Sequence, residues 1–209
     1  MKDYISKLEN SLLPLIKDIN KPNILELGVQ RGRSTLKFLK ICNENDGKLF
    51  SIDVEDCSAV SDDKRWKFIK SRDDNFEYIK SIIPERLNVI FIDTIHEAAH
   101  VKEIFYYYYK FLVPGGYIFI DDISHLPYLD NKKSNFYCEI NNKETFDEIL
   151  NIYYFNHESF DLNFSFESSG LAIIKKKNDN ELNISQKIAS RKYSLKNIVR
   201  KLFSIIKKN

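Results

Sequence analysis

Acidic side chains stand where apolar strands should end. NVIFID closes one run on Asp93, with His96 three residues further on, and YIFIDD closes another on Asp121 and Asp122. If those strands are neighbours, three carboxylates converge on one small volume. Like charges held that close repel strongly unless a cation neutralises them. Hard oxygen ligands of this kind suit Mg²⁺ or Mn²⁺, with coordination positions left for water or substrate. On a strand-to-helix turn, the D-x-x-H spacing can bring the His96 imidazole over such a metal without making it a ligand, which is where a general base would work. Bland alternatives exist for each residue: Asp121 and Asp122 could cap the following segment, and His96 could simply open a helix. His125 follows the acid pair closely and is the reserve candidate, while His100 and His157 carry no comparable pattern.

A second constellation lies upstream. In ILELGVQRGRST, residues 24–35, an apolar strand runs into a Gly-rich turn that opens a polar helix start. Gly28 and Gly32 can take backbone angles closed to other residues, and Ser34 and Thr35 sit where unpaired amides begin the helix. One βα unit later KLFSIDV ends on Asp53, placed to accept hydrogen bonds from ribose hydroxyls. A dinucleotide fingerprint would need glycine where Gln30 stands, so E-x-G-x-x-x-G disfavours a pyrophosphate.

These residues resemble the class I methyltransferases that use S-adenosylmethionine (SAM). ELGVQRG looks like their first motif and Asp53 like their ribose acid. The resemblance implies that Glu26, Gly28 and Gly32, with Ser34 at the helix start, shape the pocket for the amino acid part of SAM. It also implies that Asp53 holds the ribose and that Asp73 or Asp74 meets the adenine amino group. The D-x-x-H followed by an acid pair is similar to the metal-dependent O-methyltransferases of the methyltransferase 24 type that act on sugar hydroxyls in macrolide biosynthesis, a group that also includes cephalosporin hydroxylase-like proteins. That likeness implies Mg²⁺ or Mn²⁺ on Asp93, Asp121 and Asp122, with His96 as base. The family pair is usually Glu-Asp, or Asp-Asn in catechol-type relatives, and Asp-Asp departs from both. The resemblance covers roughly residues 20–177 and is vague between Ser124 and Phe160.

The elements that must position these groups alternate as in a doubly wound, Rossmann-like sheet. Strands are expected at Asn23–Leu27, Leu49–Asp53 and Trp66–Lys70, with helices from the Gly turn through Ile41 and over Phe76–Ile83. NVIFID, apolar almost throughout, reads as a central parallel strand, and a helix follows over Glu97–Phe111. The aromatic run Phe105–Tyr109 falls inside that helix, points all round its axis and reads as packing, not as a nucleic-acid platform. A turn at Pro114, Gly115 and Gly116 precedes the fifth strand, and DLNFSFES with GLAIIKKK resembles the antiparallel pair that closes a seven-stranded sheet. The loop from Ser124 to Asn142, with Tyr128, Lys132, Lys133 and Tyr137, is the expected substrate lid.

The chain of 209 residues is enough for one well-buried core, and 43% hydrophobic with 30% charged residues is a globular composition. A net charge of +2 selects no partner class. Cys42, Cys57 and Cys138 are too dispersed for a paired metal motif and suit free thiols in a reducing cytoplasm. Residues 1–20 read as an amphipathic lead-in helix interrupted at Pro14, with Asp3, Glu9 and Asp18 in its apolar pattern, unlike a secretory signal. The methyltransferase domain is expected over 21–177. Residues 178–209 form a polar linker and a basic amphipathic helix with Leu195, Ile198, Val199, Leu202, Phe203 and Ile206 on one face. Through 194–208 that helix suits either an anionic inner-membrane surface or packing on the domain or a second subunit.

The expected function is therefore SAM-dependent methylation of a hydroxyl on a small molecule or glycan. Two other classes stay open: a metal-dependent hydrolase or hydroxylase, which would not need the turn at Gly28 with Asp53, and a non-catalytic SAM-fold scaffold, which would tolerate loss of His96 and the acids.

Overall fold

Among the described residues there are seven strands: β1 (Asn23–Leu27), β2 (Lys48–Asp53), β3 (Trp66–Lys70), β4 (Leu87–Ile92), β5 (Leu112–Asp121), β6 (Phe160–Ser165) and β7 (Leu171–Lys176), the central ones near-continuous runs of Ile, Leu, Val and Phe and the edge strands β3 and β6 alternating with polar residues. A computed structural model describes residues 2–125, 136–186 and 194–206. The strands form one sheet in the order β3-β2-β1-β4-β5-β7-β6, with β7 antiparallel to both β5 and β6 and all other pairs parallel. This is the Rossmann-like, doubly wound and mostly parallel seven-stranded sheet with a closing antiparallel pair expected from the sequence. Strand order reverses between β1 and β4, and in open α/β sheets ligands bind in the crevice beyond the strand ends at such a point.

The helices are α1 (Lys2–Lys7), α2 (Leu13–Ile16), α3 (Arg33–Glu44), α4 (Phe76–Lys80), α5 (Ala98–Tyr109), α6 (Phe136–Asn156) and α7 (Leu195–Ile206). A π-helical turn at Leu8–Leu12 links α1 to α2, just ahead of Pro14, whose missing N–H interrupts the regular ladder. Side-chain parity along the strands sorts the core into two layers. Leu25, Ile90, Ile92, Ile118 and Ile120 face α4, α5 and α6, whereas Ile24, Leu49, Val89, Phe91 and Phe119 face the N-terminal helices and α3.

Several boundaries differ from the sequence expectation. The Pro114–Gly116 turn lies inside β5, where the pairing with β4 shifts register between Leu87/Leu112 and Val89/Tyr117. A Cβ on Gly116 would come within 2.8 Å of the Asn88 carbonyl oxygen, so the irregularity requires glycine there. The helix after β3 ends at Lys80, and the 21-residue α6 occupies much of the stretch that the sequence left blank. Residues 126–135 of the expected lid, including Tyr128, Lys132 and Lys133, lie outside the described residues, as do the side chains of Tyr137 and Cys138.

The aromatic run packs as expected. Tyr107 stacks on Phe76 with centroids 3.9 Å apart, and the Tyr108 and Tyr109 hydroxyls donate to the carbonyls of Asp73 and Ser159. Part of the linker is docked too, since the Ser185 amide donates to the Tyr106 hydroxyl and Ser185 Oγ to Glu148. In α7, Leu195, Ile198, Val199 and Phe203 are exposed, so at these residues the domain does not cover the apolar face. Among the described residues no helix is long and apolar enough to cross a membrane.

Candidate active site

The C-terminal ends of β1, β2, β4 and β5 open into one cavity of about 610 Å³. Gly28, Ser34, Asp53 and Asp73 line one part of it, and Asp93, His96, Asp121 and Asp122 line another. Both constellations read from the sequence thus face the same space.

At the glycine turn the backbone runs through left-handed angles at Gly28 (φ 97°), Gln30 (φ 49°) and Gly32 (φ 71°). A Cβ on Gly28 would lie 1.9 Å from the Asp93 carbonyl oxygen and one on Gly32 would lie 2.2 Å from Val60 Cγ1. Both glycines are therefore demanded by the protein's own packing, and Gly32 does not reach the cavity. Glu26 does not reach it either. By strand parity Glu26 points toward α3, fully buried, and accepts hydrogen bonds from Ser34 Oγ (2.5 Å), Thr35 Oγ1 (2.8 Å) and Ser51 Oγ (2.6 Å). Burial pushes its carboxyl up to about 7, against the opposing pull of these three hydroxyls. Glu26 is thus the buried tie between β1, β2 and the start of α3, and it acts on the pocket only through the turn it anchors.

Asp53 clasps the turn directly. Its Oδ2 accepts from the amides of Val29 (2.8 Å) and Gln30 (3.0 Å), and its Oδ1 from Glu55 (2.9 Å). Burial would raise this carboxyl, but the amides outweigh it and hold it below its ordinary range. Each carboxylate oxygen has two acceptor sites, so capacity for a ribose hydroxyl remains. Asp73 is held by Thr94 Oγ1 (2.7 Å) and His100 Nε2 (2.9 Å), while Asp74 turns away to pair with Arg72. Sequence reasoning passed over Thr94 and His100, which have no motif of their own and are found only once α5 packs beside the β3 loop.

The strand-end acids line the same part of the cavity but engage different partners. Asp93 and Asp121 follow Phe91 and Phe119 in parity and so point toward the N-terminal helix layer. Asp121, only 1% exposed, pairs with the fully buried Lys7 ammonium. Lys7 Nζ also donates to Ser169 Oγ (2.7 Å) and the Gly170 carbonyl (3.4 Å). Tyr4 on the same helix donates its hydroxyl to Asp93 Oδ2 at 3.0 Å. Asp122 adopts a left-handed angle (φ 57°) that turns its carboxylate into the cavity instead. There its Oδ2 lies 3.3 Å from His96 Nε2, and Asp93 Oδ1 lies 3.7 Å from the same nitrogen. Burial, then the charges of Asp121 and Asp122, push the Asp93 carboxyl well above its ordinary range.

A metal held by all three acids does not fit this arrangement. Asp121 already has a cation, and Tyr4 occupies an oxygen of Asp93. Among the described residues, the group of three whose ligand atoms all lie within 4.8 Å is Asp73, Asp74 and His100, each already paired. His125 is not brought to the cavity, since its ring lies against Phe146 with centroids 4.7 Å apart. Tyr4 and Lys7 are two further residues that the sequence missed. Their only signal was an i, i+3 spacing on a helix that had to cover a sheet ending in unpaired acids.

Comparison with known proteins bears on the fold. Residues 25–123, just under half of the chain, match the family described as a methyltransferase domain, methyltransferase 24. No curated protein matches in sequence. Among solved structures, the MycE methyltransferase of the mycinamycin biosynthetic pathway, in complex with Mg, SAH and mycinamycin VI, superposes with a TM-score of 0.60 at 18% identity, over 86% of this chain. This chain spans about half of MycE, 52% of its length. The SAH-bound methyltransferase PaMTH1 of Podospora anserina gives 0.62 at 18% identity, covering 79% of this chain and 76% of its own. The O-methyltransferase of Bacillus cereus in complex with SAH gives 0.58 at 18% identity, covering 79% of each chain. These likenesses establish the fold.

Proposed function

We propose that this protein is a SAM-dependent O-methyltransferase whose acceptor is a hydroxyl of a sugar or glycoside. The observation that carries the proposal is the shared cavity, in which a glycine turn clasped by a strand-end acid faces a histidine flanked by two carboxylates. A metal hydrolase would not need the first constellation, and a scaffold protein would not need the second. The glycoside class rests on the D-x-x-H and acid-pair resemblance and on the MycE likeness, a protein whose complex holds mycinamycin VI.

In this reading Asp53 receives the ribose hydroxyls and Asp73 the adenine end, with Gly28 and Ser34 at the intervening wall. SAM, when bound, supplies an electrophilic methyl group: the acceptor oxygen forms the new C–O bond as the C–S bond breaks and sulfur keeps the electron pair. The acceptor proton must leave as that oxygen is alkylated, and the His96 ring takes it. Asp122, nearest to Nε2, stabilises the imidazolium that results. Thr94, Tyr108 and His100 keep Asp73 in place, and the remaining work is orientation of the acceptor against the donor. No metal enters these steps.

The direct test is transfer of label from methyl-tritiated SAM to a panel of glycosides and, separately, of catechols. Label appearing in the glycosides is the expected result. Label in catechols alone would overturn the acceptor class, and label in neither, with SAM bound, would favour the scaffold reading.

A further inference from the structure

We infer that Lys7 is the resident counter-cation of the strand-end acids, so that the acceptor half of this site is neutralised by the protein's own N-terminal helix and not by a divalent ion. The inference deepens the functional reading above and rests on it for the identity of the reaction.

Three observations converge on Lys7. Strand parity sends Asp93 and Asp121 to the face of the sheet that the N-terminal helices cover, and Ile92 pairs in register with Ile120, so the two acids emerge side by side. On that face a lysine and a tyrosine one helical turn apart meet them, Lys7 on Asp121 and Tyr4 on Asp93. Finally, Lys7 is fully buried, and an ammonium is almost never placed there unless it is paired. Its partners fill its three donors: the Asp121 carboxylate, the Ser169 hydroxyl and the Gly170 carbonyl. A lysine satisfied in this way is a permanent part of the site.

The arrangement has a consequence for chemistry. Asp121 lines the cavity with its charge already met by Lys7, and Asp122, thrown outward by its left-handed backbone, remains with Asp93 to face His96. The carboxylates that a metal would use are divided between an ammonium and an imidazole. The N-terminal segment is therefore a component of the active site as well as a cover for the sheet.

The test uses the full-length chain and Mn²⁺ alone as probe, with free Mn²⁺ followed by electron paramagnetic resonance and SAM binding followed in parallel by calorimetry. The parent is expected to bind Mn²⁺ no better than millimolar. Lys7→Met, which removes the charge and keeps the length, is expected to gain at least tenfold in Mn²⁺ affinity, with the gain cancelled by Asp121→Asn in the same background and absent from Lys7→Arg. A merely structural lysine would not produce a metal-binding gain. Micromolar Mn²⁺ binding by the parent that is lost in Asp121→Asn or Asp122→Asn would overturn the inference without need of the Lys7 variant, and so would a folded Lys7→Met chain with unchanged Mn²⁺ affinity. A parent that binds neither SAM nor Mn²⁺ would contradict the methyltransferase reading while leaving the counter-cation in place.

Discussion

His96 and Glu26 show how differently two ionisable residues of one site can act. His96 faces the cavity with carboxylates on its Nε2 side, and a positioned general base is worth ~10²–10⁴-fold in rate. His96→Ala is expected to slow methyl transfer by about that factor while SAM affinity measured by calorimetry stays within roughly threefold, because no part of the turn at Gly28 depends on the imidazole. Glu26 acts on stability instead. Its folded-state carboxyl titrates at about 7, above the ordinary 4.5, so between those values the folded chain holds a proton that the unfolded chain has released. Stability from this group is full below the unfolded value and falls as pH rises through the folded one, by on the order of 3 kcal/mol in all. Glu26→Gln, a neutral side chain that the three hydroxyls can serve by rotating one of them, is expected to flatten that fall. Denaturant midpoints at about pH 5 and about pH 8 check it, and a parent whose stability drops no more than the variant's would refute the assignment. The position of His96 at the cavity was legible in the sequence because D-x-x-H is a local pattern. The sequence placed Glu26 at the cofactor because the motif names the residue and not the side of the strand it faces.

The N-terminal helices are the element whose contribution the sequence concealed. Leu8, Leu12 and Ile16 are fully buried at a spacing of four, which identified an amphipathic segment but not the sheet face it covers. Tyr4 and Lys7 ride on that segment, so its packing and the geometry of the acids are coupled. Leu12→Ala is expected to cost about 2–5 kcal/mol, read as a lowered urea midpoint, and to lower turnover well before the chain unfolds. Unchanged turnover in a chain destabilised by that amount would show that α1 is only a cover. The central strands were readable because buried parallel strands are near-continuous apolar runs, and five of the seven agree with their expected limits to within a residue or two; β5 begins earlier, ahead of Pro114, and β6 stops at Ser165, short of the expected end. The long α6 was not readable, since its apolar residues are spread around the axis among Asn, Glu and Lys. The three acids meet at one cavity as their strand ends implied, but their partners were not readable: parity turns Asp93 and Asp121 toward the N-terminal helices, and the left-handed angle at Asp122 turns it to His96.

Across the whole molecule, the reversal of strand order between β1 and β4 sets the glycine turn with Asp53 and the proposed base His96 at one crevice. The resemblance and the fold agree there, whereas the acceptor end carries this chain's own solution in Lys7 and Tyr4. Asp53 joins the two halves of the argument because it both clasps the turn and remains open to a ribose. Calorimetric titration of SAM into the parent and into Asp53→Ala therefore tests the account most directly. One SAM bound per chain by the parent, with affinity at least tenfold weaker in Asp53→Ala, is the expected result. A folded parent that takes up no SAM, or an Asp53→Ala variant that binds it as tightly as the parent, would contradict the account.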